Sequence, residues 1–232
     1  MAFREIVAPT VKELFIQQLE GMILSGELRP GDRLPTEREL ADEMKISKTV
    51  VHEGLRELHR LGFLDIASRR GVTVADYAQT GSLETLRAIM DFHGGLPDAK
   101  TAGSILQLRY YLEGPAMEEL AARHTPADMA ALQALQRQAE QAAQEGTDAL
   151  AEALFRYHRG ITFLSGNTIT PLLFNAFTRV NLEFWKEYIQ LTGIDRCLER
   201  LAQFTAHIGA GEGQAASSLL RQGLEQFITQ VR

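Results

Sequence analysis

Apolar residues recur at helical spacing along most of the chain, and the pattern is interrupted near residue 65. Before that point, two short amphipathic segments are joined by a tight turn. The first opens at Thr36 with the T-x-x-E spacing of a capping box, which ends at Glu39. The second opens at Ser47, a favourable N-cap, and stops at Gly62. The pattern therefore predicts two consecutive helices with a turn between them.

Two brief β runs follow, at residues 63–66 and 72–74, with a basic turn over residues 68–71. A further amphipathic segment over residues 10–25 precedes the helix pair and can pack behind it. Three helices followed by a small hairpin are the outline of a winged helix-turn-helix, in which the hairpin is the wing.

The remainder of the chain keeps the helical period and shows no convincing strand. One of its predicted helices runs without a break from Pro171 to Leu191. We therefore predict a mainly α protein. Residues 1–76 form the winged helix-turn-helix with its small β-hairpin, residues 77–81 form a short linker, and residues 82–232 form an antiparallel bundle of about seven helices.

The second helix of the predicted pair carries chemistry suited to DNA. Its first turns place Lys48, Thr49 and His52 on the outward face, which combines a cation with hydrogen-bonding groups. Helix-turn-helix proteins read base edges in the major groove with this end of their second helix. Arg69 and Arg70 at the hairpin tip can reach phosphates or enter a narrow minor groove. The sequence thus predicts a DNA-binding domain.

Three runs in this region resemble a known family: LPTEREL from Leu34, ISKT from Ile46 and LRELHRLGFL from Leu55. They are similar to the DNA-binding domain of GntR-type bacterial transcription regulators, over about the first third of the chain. Many relatives carry arginine where this chain has Lys48 and His52, so their operator sequence cannot be transferred. The outward face and the resemblance together imply DNA contacts at Arg38, Ser47, Lys48, Thr49, His52, Arg69, Arg70 and Gly71.

Composition and charge agree with a site-specific binder. The 232 residues are 45% hydrophobic and 23% charged, with a net charge of −6. That net charge argues against nonspecific coating of nucleic acid. Between Lys45 and Arg70, however, six basic side chains face three acidic ones. A single cysteine, Cys197, fits a reducing cytoplasm, and neither a signal peptide nor a membrane span is expected.

The second part of the chain also resembles a family domain. The runs LRYYLE from Leu108 and FRYH from Phe155, followed by FLSGN from Phe163, are similar to the ligand-sensing domain of the FadR subgroup of GntR regulators. The resemblance implies a helical bundle that binds an effector and joins two subunits. Its local runs are closer to the branch that senses long-chain acyl-CoA. The expected effector-binding residues are Arg109, His158, Asn181, Trp185 and Tyr188.

Many members of this subgroup hold a metal through an aspartate and three histidines. The matching positions here are Leu154, His158, Leu201 and Gly223, so three of the four ligands are missing. Because a metal site of this kind needs a carboxylate and several imidazoles, no metal and no other cofactor are expected. For His158, a ligand-binding role and a hydrogen-bonded place in the core both stay open.

These observations predict a cytoplasmic, homodimeric transcription regulator, acting as a repressor on a palindromic operator. Its effector is expected to be an acyl-CoA or another organic acid derivative; the alternatives are a small carboxylate metabolite, or DNA binding without a ligand. No enzymatic activity is expected, because neither a glycine-rich phosphate loop nor a G-x-S-x-G motif is present. A helical hydrolase fused to a DNA-recognition module is therefore the weaker interpretation.

Overall fold

The computed structural model describes residues 8–67, 71–92 and 99–230. They form two compact units, which divide between residues 93 and 94. The elements of the first unit are α1 (Val11–Leu24), α2 (Glu37–Met44), α3 (Lys48–Arg60), β1 (Leu64–Ala67), β2 (Gly71–Val74), α4 (Tyr77–Thr80) and α5 (Leu83–Phe92).

Local capping interactions determine where the helices of the first unit begin. Thr36 accepts a hydrogen bond from the Glu39 amide at 3.3 Å, and the Thr36 amide donates to the Glu39 carboxylate at 2.7 Å. The Ser47 hydroxyl accepts from the Val50 amide at 3.3 Å and so caps α3. Between α2 and α3, Lys45 adopts the left-handed conformation with φ 56°. The tight turn predicted from the sequence is therefore a single left-handed residue.

The two strands pair antiparallel, with Leu64 opposite Val74 and Ala67 opposite Gly71. The predicted turn residues 68–70 lie outside the described residues. Arg33 adds an isolated bridge to Thr73 beside the hairpin. The hairpin is thus the wing of a winged helix-turn-helix, joined to the segment before α2.

The core of the first unit forms where α1, α2, α3 and β1 meet. Val51 and Leu58 on α3 and Phe63 before β1 are fully buried. Helices α1 and α3 approach closely at Gly54, where a Cβ atom would lie 2.3 Å from Cδ1 of Phe15. The close approach fixes α3 against α1, so the outward face of α3 is held at a defined angle.

Helix α5 belongs to the first unit, so the predicted linker at 77–81 lies inside that unit. The segment 77–81 contains α4, and Tyr77 packs edge-on against Phe63 with ring centroids 5.6 Å apart. Thr85 of α5 is buried, and its hydroxyl would be 2.7 Å from a Cβ atom at Gly62. The unit extends beyond the predicted boundary because α5 buries its apolar side against α1.

The second unit consists only of helices in its described part. The long α6 packs along α12 and α8, while α7 packs against α8 and α11. In agreement with the prediction, the fold is mainly helical, with a helix-turn-helix and a two-stranded hairpin before a helical domain. None of the described helices is long and apolar enough to cross a membrane. The elements are α6 (Ala99–Arg123), α7 (Pro126–Ala142), α8 (Thr147–Leu164), α9 (Thr170–Ala176), α10 (Thr178–Thr192), α11 (Ile194–Gly209) and α12 (Gly213–Gln230).

The single helix predicted from Pro171 to Leu191 is wrong, because the structure divides it into α9 and α10 at Phe177. Phe177 has φ −103° and ψ 16°, and its amide donates to the Phe174 carbonyl in a tighter turn at 3.3 Å. The Thr178 hydroxyl donates to the Asn175 carbonyl at 2.7 Å. A side-chain hydroxyl that satisfies a carbonyl locally allows the helix to change direction there.

Candidate DNA-binding surface and effector cavity

The N-terminal part of α3 presents an exposed polar face. Lys48 and His52 have side chains that are 70% and 52% exposed, and Thr49 is also exposed. His52 follows Thr49 by three residues and Lys48 by four, so the three side chains share one side of the helix. Arg56 is one turn further along and is exposed as well. The face therefore offers two fixed cations and two hydrogen-bonding side chains, a composition suited to base edges and phosphates.

Glu37, which the sequence analysis did not select, organises this face. Its carboxylate lies at the start of α2, and it is 2.7 Å from Nδ1 of His52 and 3.9 Å from Nζ of Lys48. The two contacts connect α2 to the outward side chains of α3. A carboxylate at this place orients the two side chains and also repels phosphates that approach it directly. The motif reveals only a glutamate in the first helical turn, so its partners required the tertiary structure.

Two other predicted DNA contacts lie beside the face. Arg38 is 88% exposed, and its nearest carboxylate, Asp42, is 3.9 Å away. Its guanidinium is therefore available to a phosphate. Ser47 is exposed but caps α3 through its oxygen, and the hydroxyl proton remains available for donation.

At the wing, Arg69 and Arg70 lie outside the described residues, whereas Gly71 is described and has φ 81°. A Cβ atom at Gly71 would be 3.3 Å from the guanidinium of Arg33. A basic group from the segment before α2 thus lies against the wing, a contribution that the sequence patterns did not reveal. A groove of about 320 Å³ runs between α3 and the hairpin, lined by Glu37, His52, Leu55, Arg56, His59, Ile66 and Val72.

In the second unit, three ionisable side chains meet in the interior. Arg109 and Glu113 are one turn apart on α6 and form an ion pair through Arg109 Nε. The second oxygen of Glu113 is 2.5 Å from Nδ1 of His158 on α8. Their side chains are 5%, 0% and 1% exposed, respectively. The buried carboxylate therefore has a cationic partner on one oxygen and an imidazole on the other.

The surroundings determine the charges of this triad. Burial raises the pKa of Glu113, but Arg109 and His158 outweigh that effect and hold it below its ordinary value. Burial lowers the pKa of His158 more than Glu113 raises it. The triad is therefore an arginine cation, a carboxylate and a neutral imidazole at neutral pH. A neutral His158 that donates from Nδ1 leaves Nε2 as a hydrogen-bond acceptor.

The indole ring of Trp185 on α10 contacts both Arg109 and His158. The guanidinium carbon of Arg109 is 4.1 Å from the centre of the indole, and the His158 ring centroid is 4.8 Å away. Arg109 Nη2, His158 Nε2 and Trp185 Nε1 are buried without a hydrogen-bond partner among the described residues. Because buried polar atoms rarely stay unpaired, this grouping indicates a place for a polar ligand.

A cavity of about 30 Å³ lies beside these atoms, enough for about two water molecules. Four of the five predicted effector residues line it, namely Arg109, His158, Trp185 and Tyr188. Asn181 does not; it lines a second space of about 10 Å³, which also touches Arg109, and its Oδ1 is buried there without a partner. Further lining comes from Leu154, Phe184, Cys197, Arg200, Leu201, Phe204, Leu220, Gly223, Leu224 and Phe227.

The four positions at which relatives carry metal ligands all border the 30 Å³ cavity: Leu154, His158, Leu201 and Gly223. The predicted alignment of these positions is therefore spatially consistent. Only His158 among them can coordinate a metal, and two alkyl side chains and a glycine cannot. Within the described ranges, no three His, Cys, Asp or Glu side chains are grouped closely enough to hold an ion. The donor set does not fit the metal of the subgroup.

Sequence reasoning missed Glu113, which joins Arg109 and His158 in the triad, and Arg200, which lines the cavity. Glu113 had a recognisable signal, because an arginine and a glutamate four residues apart occupy the otherwise apolar side of α6. Arg200 had none, since it precedes Leu201 on α11 and its place depends on how α11 lies against α12. The guanidinium of Arg200 donates to the Tyr188 hydroxyl at 2.8 Å and is close to Gly223.

A winged helix-turn-helix followed by a helical domain with a mostly apolar cavity that holds a few polar groups is the architecture of two-domain transcription regulators. Comparison with family models agrees. The model of the gntR family of bacterial regulatory proteins matches residues 12–74, and that of the FCD domain matches residues 104–226, more than half of the chain. The chain therefore belongs to the gntR family and carries an FCD domain, as in FadR-type regulators.

Three individual relatives are between 25% and 31% identical to this chain over the matched regions. The chain is 31% identical over 132 residues to the HTH-type transcriptional regulator Mce2R of Mycobacterium tuberculosis, which spans 57% of this chain and 54% of that protein. The chain is 25% identical over 206 residues to LutR of Bacillus subtilis, which covers 86% of this chain and 91% of LutR. The fatty acid metabolism regulator protein of Klebsiella pneumoniae is 26% identical over 168 residues, with 70% and 67% covered.

Solved structures show the same fold. Lar, which controls expression of the Listeria monocytogenes agr system, matches with a TM-score of 0.61 at 14% identity, covering 97% of this chain and 98% of that one. A GntR protein of Streptococcus agalactiae matches with a TM-score of 0.50 at 19% identity, covering 95% and 100%. At these identities, the likeness concerns the fold alone.

Proposed function

We propose that this protein is a ligand-responsive DNA-binding transcription regulator. In this proposal it works in the cytoplasm as a homodimer that represses from a palindromic operator. The observation that carries the proposal is the exposed face of α3, with Lys48, Thr49 and His52 pointing outward in a chain of the gntR family. Such a face is the part of a winged helix-turn-helix that enters the major groove.

The proposed DNA contacts have distinct roles. Thr49 and His52 offer hydrogen bonds to base edges, while Arg38 and Lys48 neutralise phosphates near the groove. Arg69, Arg70 and Gly71 at the wing remain the proposed second contact. Few phosphates are engaged by one domain, so we expect affinity to fall with salt with a modest slope.

We propose a dimer because a single recognition helix covers only part of a specific operator. One helix reads only a few base pairs, whereas two identical domains about a two-fold axis read two half-sites. We propose that the FCD domain holds the two copies together. The operator would then be a palindrome with half-sites spaced to match the two recognition helices.

We propose an organic acid as the effector and place it in the cavity beside Arg109, His158, Trp185 and Tyr188. The unpaired donors of Arg109 and Trp185 support an anionic ligand. A volume of about 30 Å³ favours a small carboxylate over an acyl-CoA, because an acyl chain would have to displace core residues such as Leu224 and Phe227. The name of the Klebsiella pneumoniae relative is the reason to keep the acyl-CoA as the alternative.

Effector and operator would bind different states of the dimer. If the effector prefers one state and the operator the other, each weakens binding of its counterpart by the same factor. Coupling of this kind is about 1–3 kcal/mol in most systems, which corresponds to a change in affinity of about 5- to 150-fold.

The test begins with selection of duplexes from a random pool by the purified chain, followed by anisotropy titration of the selected sequence at several salt concentrations. We expect a two-fold symmetric consensus, a dimer by light scattering, and binding at least about tenfold weaker for Lys48→Ala. Arg137→Ala on α7 is the matched control, because its side chain is exposed and lies in the other unit. If the selection enriches no particular sequence, the chain binds DNA without specificity and the proposed operator is refuted.

A further inference from the structure

The cavity that lacks a metal donor set contains a fixed cation instead. Helix α12 has Gly223 at the cavity wall, and the guanidinium of Arg200 crosses directly above it. A Cβ atom at Gly223 would lie 2.1 Å from Nη1 and 3.1 Å from Cζ of Arg200. A glycine at this position is therefore required for the guanidinium to reach its place. The positive charge occupies the wall where relatives place a metal-binding histidine.

Arg200 keeps its charge free for a ligand. Its Nη1 donates to the Tyr188 hydroxyl at 2.8 Å, and within the described part of the chain no carboxylate lies within ion-pair distance of it. Arg109, in contrast, is already neutralised by Glu113. Because His158 is neutral, the cavity carries one uncompensated positive charge, which Arg200 supplies.

We propose that the cavity is a metal-independent site for a short-chain monocarboxylate, with Arg200 supplying the positive charge that a metal supplies in relatives. This inference rests on the proposed function, in which the same cavity takes the effector. One uncompensated cation matches a single negative charge. The volume of about 30 Å³ matches a carboxylate group that replaces about two water molecules.

The rest of the ligand is apolar and short in this proposal. Arg109 and His158 are buried at one side of the cavity, whereas Tyr188 and Arg200 are half-buried and form its outer side. Leu220, with Leu224 and Phe227, supplies an apolar wall. A dicarboxylate would place a second charge against that wall without a cation to pair with it, at a cost in desolvation.

The experiment uses the full chain after treatment with EDTA, and titrates acetate, propionate, butyrate and succinate while Trp185 fluorescence and heat are recorded. Trp185 is the only tryptophan in the chain and borders the cavity, so its emission reports occupancy. We expect the three monocarboxylates to bind and succinate to bind at least about tenfold more weakly. Added Zn²⁺ or Mn²⁺ should leave the affinity for each ligand unchanged.

Two variants and one control examine the role of Arg200. Arg200→Met keeps the length of the side chain without its charge, and Gly223→Ala displaces the guanidinium; each should weaken monocarboxylate binding at least about tenfold. Arg196→Met, on the exposed side of the same helix, should bind as the unmodified chain does. Far-UV circular dichroism shows whether the Gly223→Ala variant is folded. If that variant is unfolded, the affinity of Arg200→Met alone tests the role of Arg200.

The outcomes separate the two proposals. Binding that requires an added metal overturns the metal-independent site, and equal affinity in Arg200→Met overturns the assignment of the positive charge to Arg200. Either result leaves the cavity as the effector site. Preference for succinate overturns the monocarboxylate assignment alone. If no carboxylate binds with or without metal, both this inference and the proposed effector site are refuted, while operator binding is tested separately.

Discussion

Substitution of Glu113 by glutamine should strongly destabilise the second unit. The carboxylate is fully buried and has Arg109 on one oxygen and His158 on the other. Glutamine keeps the shape but removes the charge, which leaves the Arg109 cation buried without compensation. Breaking a buried ion pair at one partner costs about 3–5 kcal/mol. This is a large part of a typical domain stability of about 5–15 kcal/mol.

Urea unfolding followed by Trp185 fluorescence measures the loss in unfolding free energy of the second unit, which contains the triad. Trp185 stacks on both Arg109 and His158, so its signal reports loss of the triad and not unfolding of the winged helix-turn-helix. With a denaturant slope of about 1–3 kcal/mol per molar, we expect the midpoint for Glu113→Gln to fall by about 2 M. Because two units can unfold separately, circular dichroism should show an additional transition that does not move.

Two comparisons show whether charge is the cause. Glu119→Gln on the same helix removes an exposed ion pair with Arg123 and should cost less than about 1 kcal/mol. The triple variant Arg109→Met, Glu113→Met and His158→Phe removes the whole triad and should recover most of the stability lost in Glu113→Gln, because no buried charge remains. If Glu113→Gln and Glu119→Gln have the same midpoint, the triad does not stabilise the bundle and our reasoning is wrong.

Three further predictions concern the first unit. Burial, with Asp91 and Glu57 nearby, raises the pKa of Glu20 from 4.5 to about 7, so its proton is bound more tightly in the folded state. The contribution of Glu20 to stability should therefore be complete below about pH 4.5 and fall by up to about 3 kcal/mol as the pH rises through about 7, and Glu20→Gln should remove this part of the pH dependence in thermal unfolding. Gly54→Ala should destabilise the unit by about 1–3 kcal/mol in urea, because the added Cβ meets Phe15. Glu37→Gln should tighten binding to unrelated DNA and reduce the preference for the selected operator in anisotropy titrations, because it removes a negative charge and releases Lys48 and His52.

Each of these has a clear contrary result. An equal pH dependence for Glu20→Gln and the unmodified chain would show that Glu20 is not the responsible group. Gly103→Ala on α6 is the control for Gly54→Ala, because only a distant side-chain atom 3.9 Å away faces its added Cβ, and equal effects of the two would refute the close approach. An unchanged preference in Glu37→Gln would mean that α2 does not organise the face of α3.

Local patterns were sufficient for the helix-turn-helix and the hairpin of the first unit. The capping boxes, the tight turn and the two β runs depend on residues within a few positions of one another, so their signals survive in the sequence. The same holds for most helices of the second unit. The break at Phe177 was missed because apolar spacing continues through it, and only hydrogen bonds of nearby hydroxyl and carbonyl groups distinguish a kink from a continuous helix.

The sequence alone determined the class of the fold, the helix whose polar face is exposed and the absence of three metal ligands, since each depends on residue types at short, fixed spacing. Only the tertiary structure decided which side chains share a site. Glu37 meets His52 across two helices, and Arg200 reaches the cavity because Gly223 on another helix leaves room for it. Contacts between residues far apart in the chain depend on how helices pack, and no local period records that packing.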